Sequence, residues 1–253
     1  MVIIKSAVEI QKMREAANIA MRAMQAVLSA VQAGITTKKL DAIAFKTITD
    51  SGATPSFKGY NGFPGSICTS INDVVVHGIP RDRTLQEGDI IGIDLGAYYH
   101  GYHSDMARTI GVGEISDEAK RLIRVTRESF FKGIAKAHAG NRVGEISRAI
   151  QEHAENNGMG VVRELVGHGV GQALHESPEV PNFVTRSRGP LLREGMALAI
   201  EPMINLGTER VVWDDDGWTV RTCDGKLSAH YENTIIVGKS DCEILTLDDT
   251  REG

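Results

Sequence analysis

Four carboxylates in this sequence stand where carboxylates are hard to explain. Asp94 closes the apolar run of "GDIIGID", and Asp105 follows eleven positions later, at the end of "LGAYYHGYHSD". Glu201 closes "GMALAIE", and Glu232 opens "ENTIIV". Acids at the ends of apolar strands are costly unless paired or metal-bound. Two acids alone would suit general acid–base work or a glycosidase pair. Four brought together repel by about 4 kcal/mol per pair at ~4 Å, with an effective dielectric near 20. Arg108, just past Asp105, is the one cation in these stretches that could neutralise them, so metal ions are the simplest remedy. His168, set between glycines in "GHGVG", is a fifth ligand candidate, because glycine lets the backbone approach a ligand closely. Oxygen-rich donors with one imidazole suit Mn, Fe(II), Co or Zn and are too oxygen-rich for a structural zinc site. Five such ligands are enough for two ions about 3.5–4 Å apart, with one or two acids bridging. Such a pair makes a bridging hydroxide at neutral pH and clamps a carbonyl oxygen, so the chemistry indicated is hydrolysis, of amides above all.

Two further histidines suit a substrate. His77 follows the apolar strand of "DVVVHGIP", and His175 stands seven residues after His168. An odd separation reverses the face of a strand, so a turn or bulge is required to bring His168 and His175 into one cleft. His100, His103, His138 and His153 are assigned structural or surface roles.

The elements that must position these groups come in two copies. Ser6–Glu9 reads S-x-x-E, a capping box that opens a helix, and Met13, Ala17, Met21, Met24 and Leu28 continue one helical face to Gly34. A second helix carries Leu40, Ile43, Ala44 and Ile48 and ends at Gly52. Ser116–Gly140 and Val143–Gly158 repeat that plan, and in both copies "AG" precedes the next terminal glycine by 18 residues. "LQEGDIIGID" resembles "LREGMALAIE", which matches Asp94 to Glu201; "DMARTIGVG" resembles "ENTIIVG", which matches Asp105 to Glu232. The period of about 106 residues is too long for a solenoid. It predicts an α+β fold of two pseudo-symmetric halves, about 6–113 and 116–238, within a single catalytic domain spanning 1–253. Each half has two helices and a curved, mostly antiparallel sheet, with the helices on one side. The four acids converge where the halves meet. In the hairpin between Asp94 and Asp105, a two-residue turn at Tyr99–His100 would set the two acids directly opposite each other.

The totals narrow the class. The chain has 253 residues, 42% hydrophobic and 24% charged, and a net charge of −5, which argues against a nucleic-acid partner. Cys68, Cys223 and Cys242 are odd in number and far apart, which fits a reducing cytoplasm. The start is too short in apolar character for a signal peptide, and no run of about 18 apolar residues exists for a membrane span. The acidic tail "DDTREG" reads as frayed.

In order and spacing, "INDVVVHGIP", "GIDLGAYYHGYHSD", "GHGVG", "EPMI" and "SAHYENT" resemble the type I methionine aminopeptidases, in their minimal bacterial form, over nearly the whole chain. The resemblance implies the pita-bread fold. It implies removal of the initiator methionine from nascent proteins whose second residue is small. It implies a metal site in which Asp94 holds one ion, Asp105 and Glu232 bridge two, and His168 and Glu201 complete the second, with Glu201 also shuttling a proton. His175 would bond the scissile carbonyl and His77 the scissile amide nitrogen. The family's methionine pocket falls on Phe57, Tyr60, Phe63, Cys68, Leu174 and Trp218, apolar groups and a thiol that suit a thioether. Phe57 stands where many relatives have Cys, Leu174 where many have Phe, and Asn233 where His is common. A loop matching Asn72, Val74 and Ser228 binds a monovalent cation in some relatives. The expected form is a cytoplasmic monomer with transient ribosome association. Two rivals remain: a proline-peptidase or creatinase-type enzyme on this fold, which usually adds an N-terminal domain, and a non-enzymatic module that has lost its ligands.

Overall fold

The structure, a computed structural model, describes residues 2–247; the acidic tail 248–253 lies outside the described residues. Its helices are α1 (Ala7–Ala30), α2 (Thr37–Asp50), α3 (Asp117–Ile134) and α4 (Val143–Asn156). The strands of the first half are β1 (Thr54–Pro55), β2 (Ile67–Ile71), β3 (Val74–Val76), β4 (Ile90–Tyr99) and β5 (Tyr102–Gly111). Those of the second begin with β6 (Gly160–Val161), β7 (Gly167–Gly169), β8 (Glu176–Val180), β9 (Ala197–Ile200) and β10 (Met203–Asn205). They end with β11 (Val211–Trp213), β12 (Val220–Thr222), β13 (Ser228–His230), β14 (Glu232–Val237) and β15 (Cys242–Ile244).

The capping box forms as the S-x-x-E pattern predicts: Ser6 N donates to Glu9 Oε2 at 2.8 Å, and Glu9 N donates back to Ser6 Oγ. The repeat is conformational as well as sequential. Gly34 and Gly140 have φ of +92° and +94°, and Gly52 and Gly158 have +74° and +73°, all in the left-handed region that glycine enters without penalty. Helix α1 nevertheless ends at Ala30, ahead of Gly34, because Val31 takes an extended conformation and Gly34 belongs to the turn before α2.

The large sheet runs β1-β4-β5-β14-β9-β7-β8, with β2 also on β4 and β15 also on β14. The halves join where β5 pairs with β14, and each half carries its acid-bearing hairpin or strand pair up to that seam. Successive strand residues face opposite sides. Ile93, Leu95 and Met106 pack with Met24, Leu40 and Ile48 of α1 and α2. Leu198, Ile200 and Ile235 pack with Phe130, Ile146 and Ile150 of α3 and α4. Each such side chain contributes roughly 1.5–3 kcal/mol on burial. The acids alternate with these residues and therefore face away from the helices.

The turn between β4 and β5 lies one residue beyond the expected place. Tyr99 pairs with Tyr102, so the central residues are His100 and Gly101, with φ of +49° and +87°. A tight hairpin turn of this kind needs left-handed backbone at both positions; Gly101 supplies it freely, whereas a turn centred on Tyr99 would force a bulky residue into it. Asp105 consequently faces Gly96 and Asp94 faces Ala107. The two acids are diagonal neighbours on one face, about 7–8 Å apart along the backbone rather than about 5 Å. A Cβ at Gly101 would have nothing within 4 Å, so Gly101→Ala tests the backbone alone. It should lower stability by about 1–2 kcal/mol in urea unfolding.

Candidate active site

One rung of the sheet forms the floor. Asp94 on β4 pairs with Ala107 on β5, and Ala107 pairs on its other side with Glu232 on β14. Directly paired residues share a face, so Asp94 and Glu232 flank the Ala107 methyl, with Asp105 two residues along β5 on that same face. Asn233 pairs with Ile200, which brings their chain neighbours Glu232 and Glu201 to the seam. His168 on β7 pairs with Ala199 of β9. Its Nε2 lies 3.5 Å from Glu201 Oε1 and 3.9 Å from Asp105 Oδ2. Ligand atoms of Asp105, His168 and Glu232 all fall within 4.8 Å of one another.

A second group within the same limit, Asp94, His230 and Glu232, contains a histidine that the sequence reading passed over. His230 Nε2 lies 3.7 Å from Glu201 Oε2 and 3.8 Å from Glu232 Oε2. The available signal was its place two residues before Glu232, the spacing that keeps two extended residues on one face. Ala107 was also missed, since only the strand register shows that its small side chain leaves room above the sheet.

Burial is the first cause of every large protonation shift here. It pushes Asp94 up to about 8, and it raises Asp105, Glu201 and Glu232 well above the usual carboxylate range, helped by the neighbouring acids. It pushes His168 and His230 down to about 3. Four buried atoms, Asp94 Oδ1, Asp105 Oδ1, Glu232 Oε1 and His230 Nε2, have no hydrogen-bond partner among the described residues. His168 Nδ1 donates to Gly169 O at 2.9 Å, which leaves the Nε2 lone pair for the cluster. Neutral imidazole with an outward lone pair, converging carboxylates and unpaired buried acceptors are the donors a divalent cation requires. The residues therefore fit a metal. Its arrival would reverse the carboxylate shifts by favouring the ionised forms.

Arg108 acts on the acids from behind the sheet, where its charge opposes the rise of Glu232. It lies on the opposite face of β5, donates to Ala107 O at 2.9 Å and Glu232 O at 2.7 Å, and reaches Asn233 Oδ1 and Thr246 O, both at 2.9 Å. The Asn233 departure thus serves the brace behind the acids: its Oδ1 also accepts from Thr246 Oγ1.

In front of the cluster opens a cavity of about 280 Å³. Its lining includes all six expected pocket residues, Phe57, Tyr60, Phe63, Cys68, Leu174 and Trp218, and adds Asn61. The same lining contains His77, His175 and the five ligand candidates. Phe63 and Trp218 meet edge to face at 5.1 Å. His168 and His175 share the cleft, with ring centroids 4.1 Å apart, because the chain turns between β7 and β8 and the register shifts at His168/Gly169. Tyr60 Oη lies 2.7 Å from His175 Nδ1. His77 has φ of +59°, and burial pushes its pKa down to about 4, with His175 adding to the effect. Backbone held in that region is over-determined by its surroundings, a frequent property of functional sites. Behind it, a Cβ at Gly78 would fall 2.2 Å from Thr69 O.

The remaining candidates lie elsewhere. Asn72, with φ of +56°, accepts from Ser228 N at 2.9 Å, and Val74 begins the adjoining β3. His100 bonds Glu15, His153 bonds Glu128, His138 bonds Asn141, and His103 bonds Ser56 Oγ; none of the four lines the cavity.

The Ala107 floor yields a direct test. Ala107→Val inserts two methyl groups between Asp94 and Glu232 and should cost about 1–3 kcal/mol of metal-binding free energy. Calorimetric metal titration beside wild type measures the loss.

The family model described as metallopeptidase family M24 matches residues 11–239. The methionine aminopeptidase of Clostridium perfringens is 56% identical over 247 residues, covering 98% of this chain and 99% of that protein. The crystal structure of the Thermotoga maritima methionine aminopeptidase superposes with a TM-score of 0.96 at 42% identity, covering 98% of this chain and 100% of that one. The prolidase of Pyrococcus horikoshii superposes at a TM-score of 0.82 and 27% identity, but only 65% of its length is covered.

Proposed function

We propose, from the premise that this chain belongs to metallopeptidase family M24 and within it to the methionine aminopeptidases, that it removes the initiator methionine from nascent proteins whose second residue is small. The observation that carries this reading is the single cavity that joins the carboxylate cluster to an apolar, thiol-containing pocket. Two divalent ions, drawn from Co, Mn, Fe or Zn, would be held by Asp94, Asp105, His168, Glu201 and Glu232, with His230 beside Glu201 and Glu232. The metal supplies Lewis acidity and a nucleophile that is deprotonated near neutral pH.

The chain's own groups do the rest. The aromatic pocket takes the methionine side chain and excludes water, and the sulfur finds polarizable partners in Phe63, Trp218 and Cys68. Burial holds His175 in its neutral form. Tyr60 Oη lies 2.7 Å from His175 Nδ1; donation from the hydroxyl would leave the ring proton on Nε2, where it can bond the scissile carbonyl oxygen as charge develops. His77 bonds the scissile amide nitrogen. Glu201 accepts a proton from the nucleophile and returns it to the departing amine. His175→Ala should therefore lower kcat by about 10²–10³-fold.

Hydrolysis of Met-Ala-Ser with added Mn or Co, abolished by chelation, tests the assignment. Preferential turnover of Xaa-Pro peptides would move the chain to the prolidase side of its fold, and a metal-replete protein inert to both would favour a binding module. A monovalent cation beside Asn72, Val74 and Ser228, a cytoplasmic monomer and transient docking at the ribosome belong to the same reading. No helix among the described residues is long and apolar enough to cross a membrane.

A further inference from the structure

The turn that presents both Leu174 and His175 to the cavity is fastened from outside the site, by the segment ahead of α1. That turn leaves β7 after Gly169 and re-enters the sheet at Glu176, which pairs with Gly169. Glu176 does not line the cavity. Its side chain meets Lys5, with Nζ 2.5 Å from Oε2 and only 2% and 7% of the two side chains exposed. Glu176 Oε1 also accepts from Ala173 N at 3.3 Å, so one carboxylate closes the turn on itself and ties it to Lys5. Lys5 is held in turn: its N–H donates to Gly195 O at 2.8 Å, and Ile4 bridges to Met196 at the entry to β9. The fit is close, since a Cβ at Gly171 would fall 2.5 Å from Glu176 Oε1 and 2.6 Å from Lys5 Cε.

A buried ion pair is a poor source of stability, because desolvation offsets most of the Coulomb gain and an apolar pair often does as well. What it provides here is geometry. The residue directly before Glu176 is His175, and a carboxylate fixed by a buried ammonium, a backbone N–H and a strand pairing leaves that neighbour little freedom. We propose that Lys5 and Glu176 are positioning residues, whose buried pair holds the 170–175 turn so that His175 faces the scissile carbonyl and Leu174 closes the pocket. This rests on the reading of His175 as the carbonyl's hydrogen-bond donor.

The test compares Lys5→Met, the paired Lys5→Met/Glu176→Met variant, Lys5→Arg and His175→Ala, alone and combined, on Met-Ala-Ser. The paired variant avoids an orphaned charge and should melt close to wild type with unchanged metal affinity, yet lose about tenfold to a hundredfold in kcat, as a small misplacement of a reacting group does. Lys5→Arg should keep most of the activity. With His175→Ala already present, Lys5→Met should cost little more in kcat, because both act on that step through one imidazole, while displacement of Leu174 should show in KM. Wild-type kcat in the paired variant, a collapse of its melting midpoint, or kcat losses that multiply with His175→Ala would each overturn the proposal. Full activity in His175→Ala alone would overturn the reading of His175 and the proposal with it, and that single variant tells the two failures apart.

Discussion

Glu201→Ala is expected to give a folded protein whose kcat/KM on Met-Ala-Ser is lower by about 10²–10⁴-fold, the range that general acid–base catalysis contributes. The carboxylate stands at the seam of the two halves, 3.5 Å from His168 Nε2 and 3.7 Å from His230 Nε2, where it can both hold an ion and exchange a proton. Stability should not suffer, because the change removes one of four mutually repelling acids and leaves Ile200 in the apolar layer. Glu201→Gln separates the two functions further, since it keeps an oxygen ligand and discards the base. Both variants should retain wild-type far-UV circular dichroism. Near-normal turnover in Glu201→Ala would remove the residue from both its roles.

The four acids of the candidate site were legible in the sequence because the fold repeats their places. Four acids stand at matching places in the two halves, and the glycines of the turns that follow the helices fall in matching conformations, Gly34 with Gly140 and Gly52 with Gly158. The curled sheet shared with the solved methionine aminopeptidases agrees with that two-half reading. What stayed hidden depends on register or on distant contacts. The turn at His100–Gly101 was read one residue early, since hydrophobic pattern alone does not say where left-handed backbone will fall, and the error moved Asp105 from opposite Asp94 to opposite Gly96. Ala107 is one alanine among many until the pairing of β4, β5 and β14 shows what flanks it. His230 went unread because its neighbours draw attention as a strand start. Lys5 and Glu176 are 171 residues apart, and nothing local in either stretch announces the other.

Removing the metal should abolish turnover and also give the chelated protein an unusual dependence on pH. Asp94 is pushed by burial from 3.8 to about 8, and Asp105, Glu201 and Glu232 move the same way. Between those values the folded chain keeps protons that the unfolded chain releases. Stability from these groups is therefore fully present below about pH 4 and is lost as pH rises through about 8. The buried histidines act oppositely: His77 is pushed from 6.5 to about 4, and His168 and His230 to about 3, so their contribution is present above 6.5 and lost as pH falls through those lower values. The two sets oppose each other at mildly acid pH, but above 6.5 the histidines are neutral in both states and only the acids still act. The melting temperature of the chelated protein should therefore fall between pH 6.5 and about 8.5. With metal restored the trend should reverse, because the ion competes with protons for the same oxygens and binds more tightly as they leave. Paired melts with and without chelator across that interval measure both slopes. A chelated protein that grows more stable as pH rises toward 8.5 would mean that the four acids do not share one buried space.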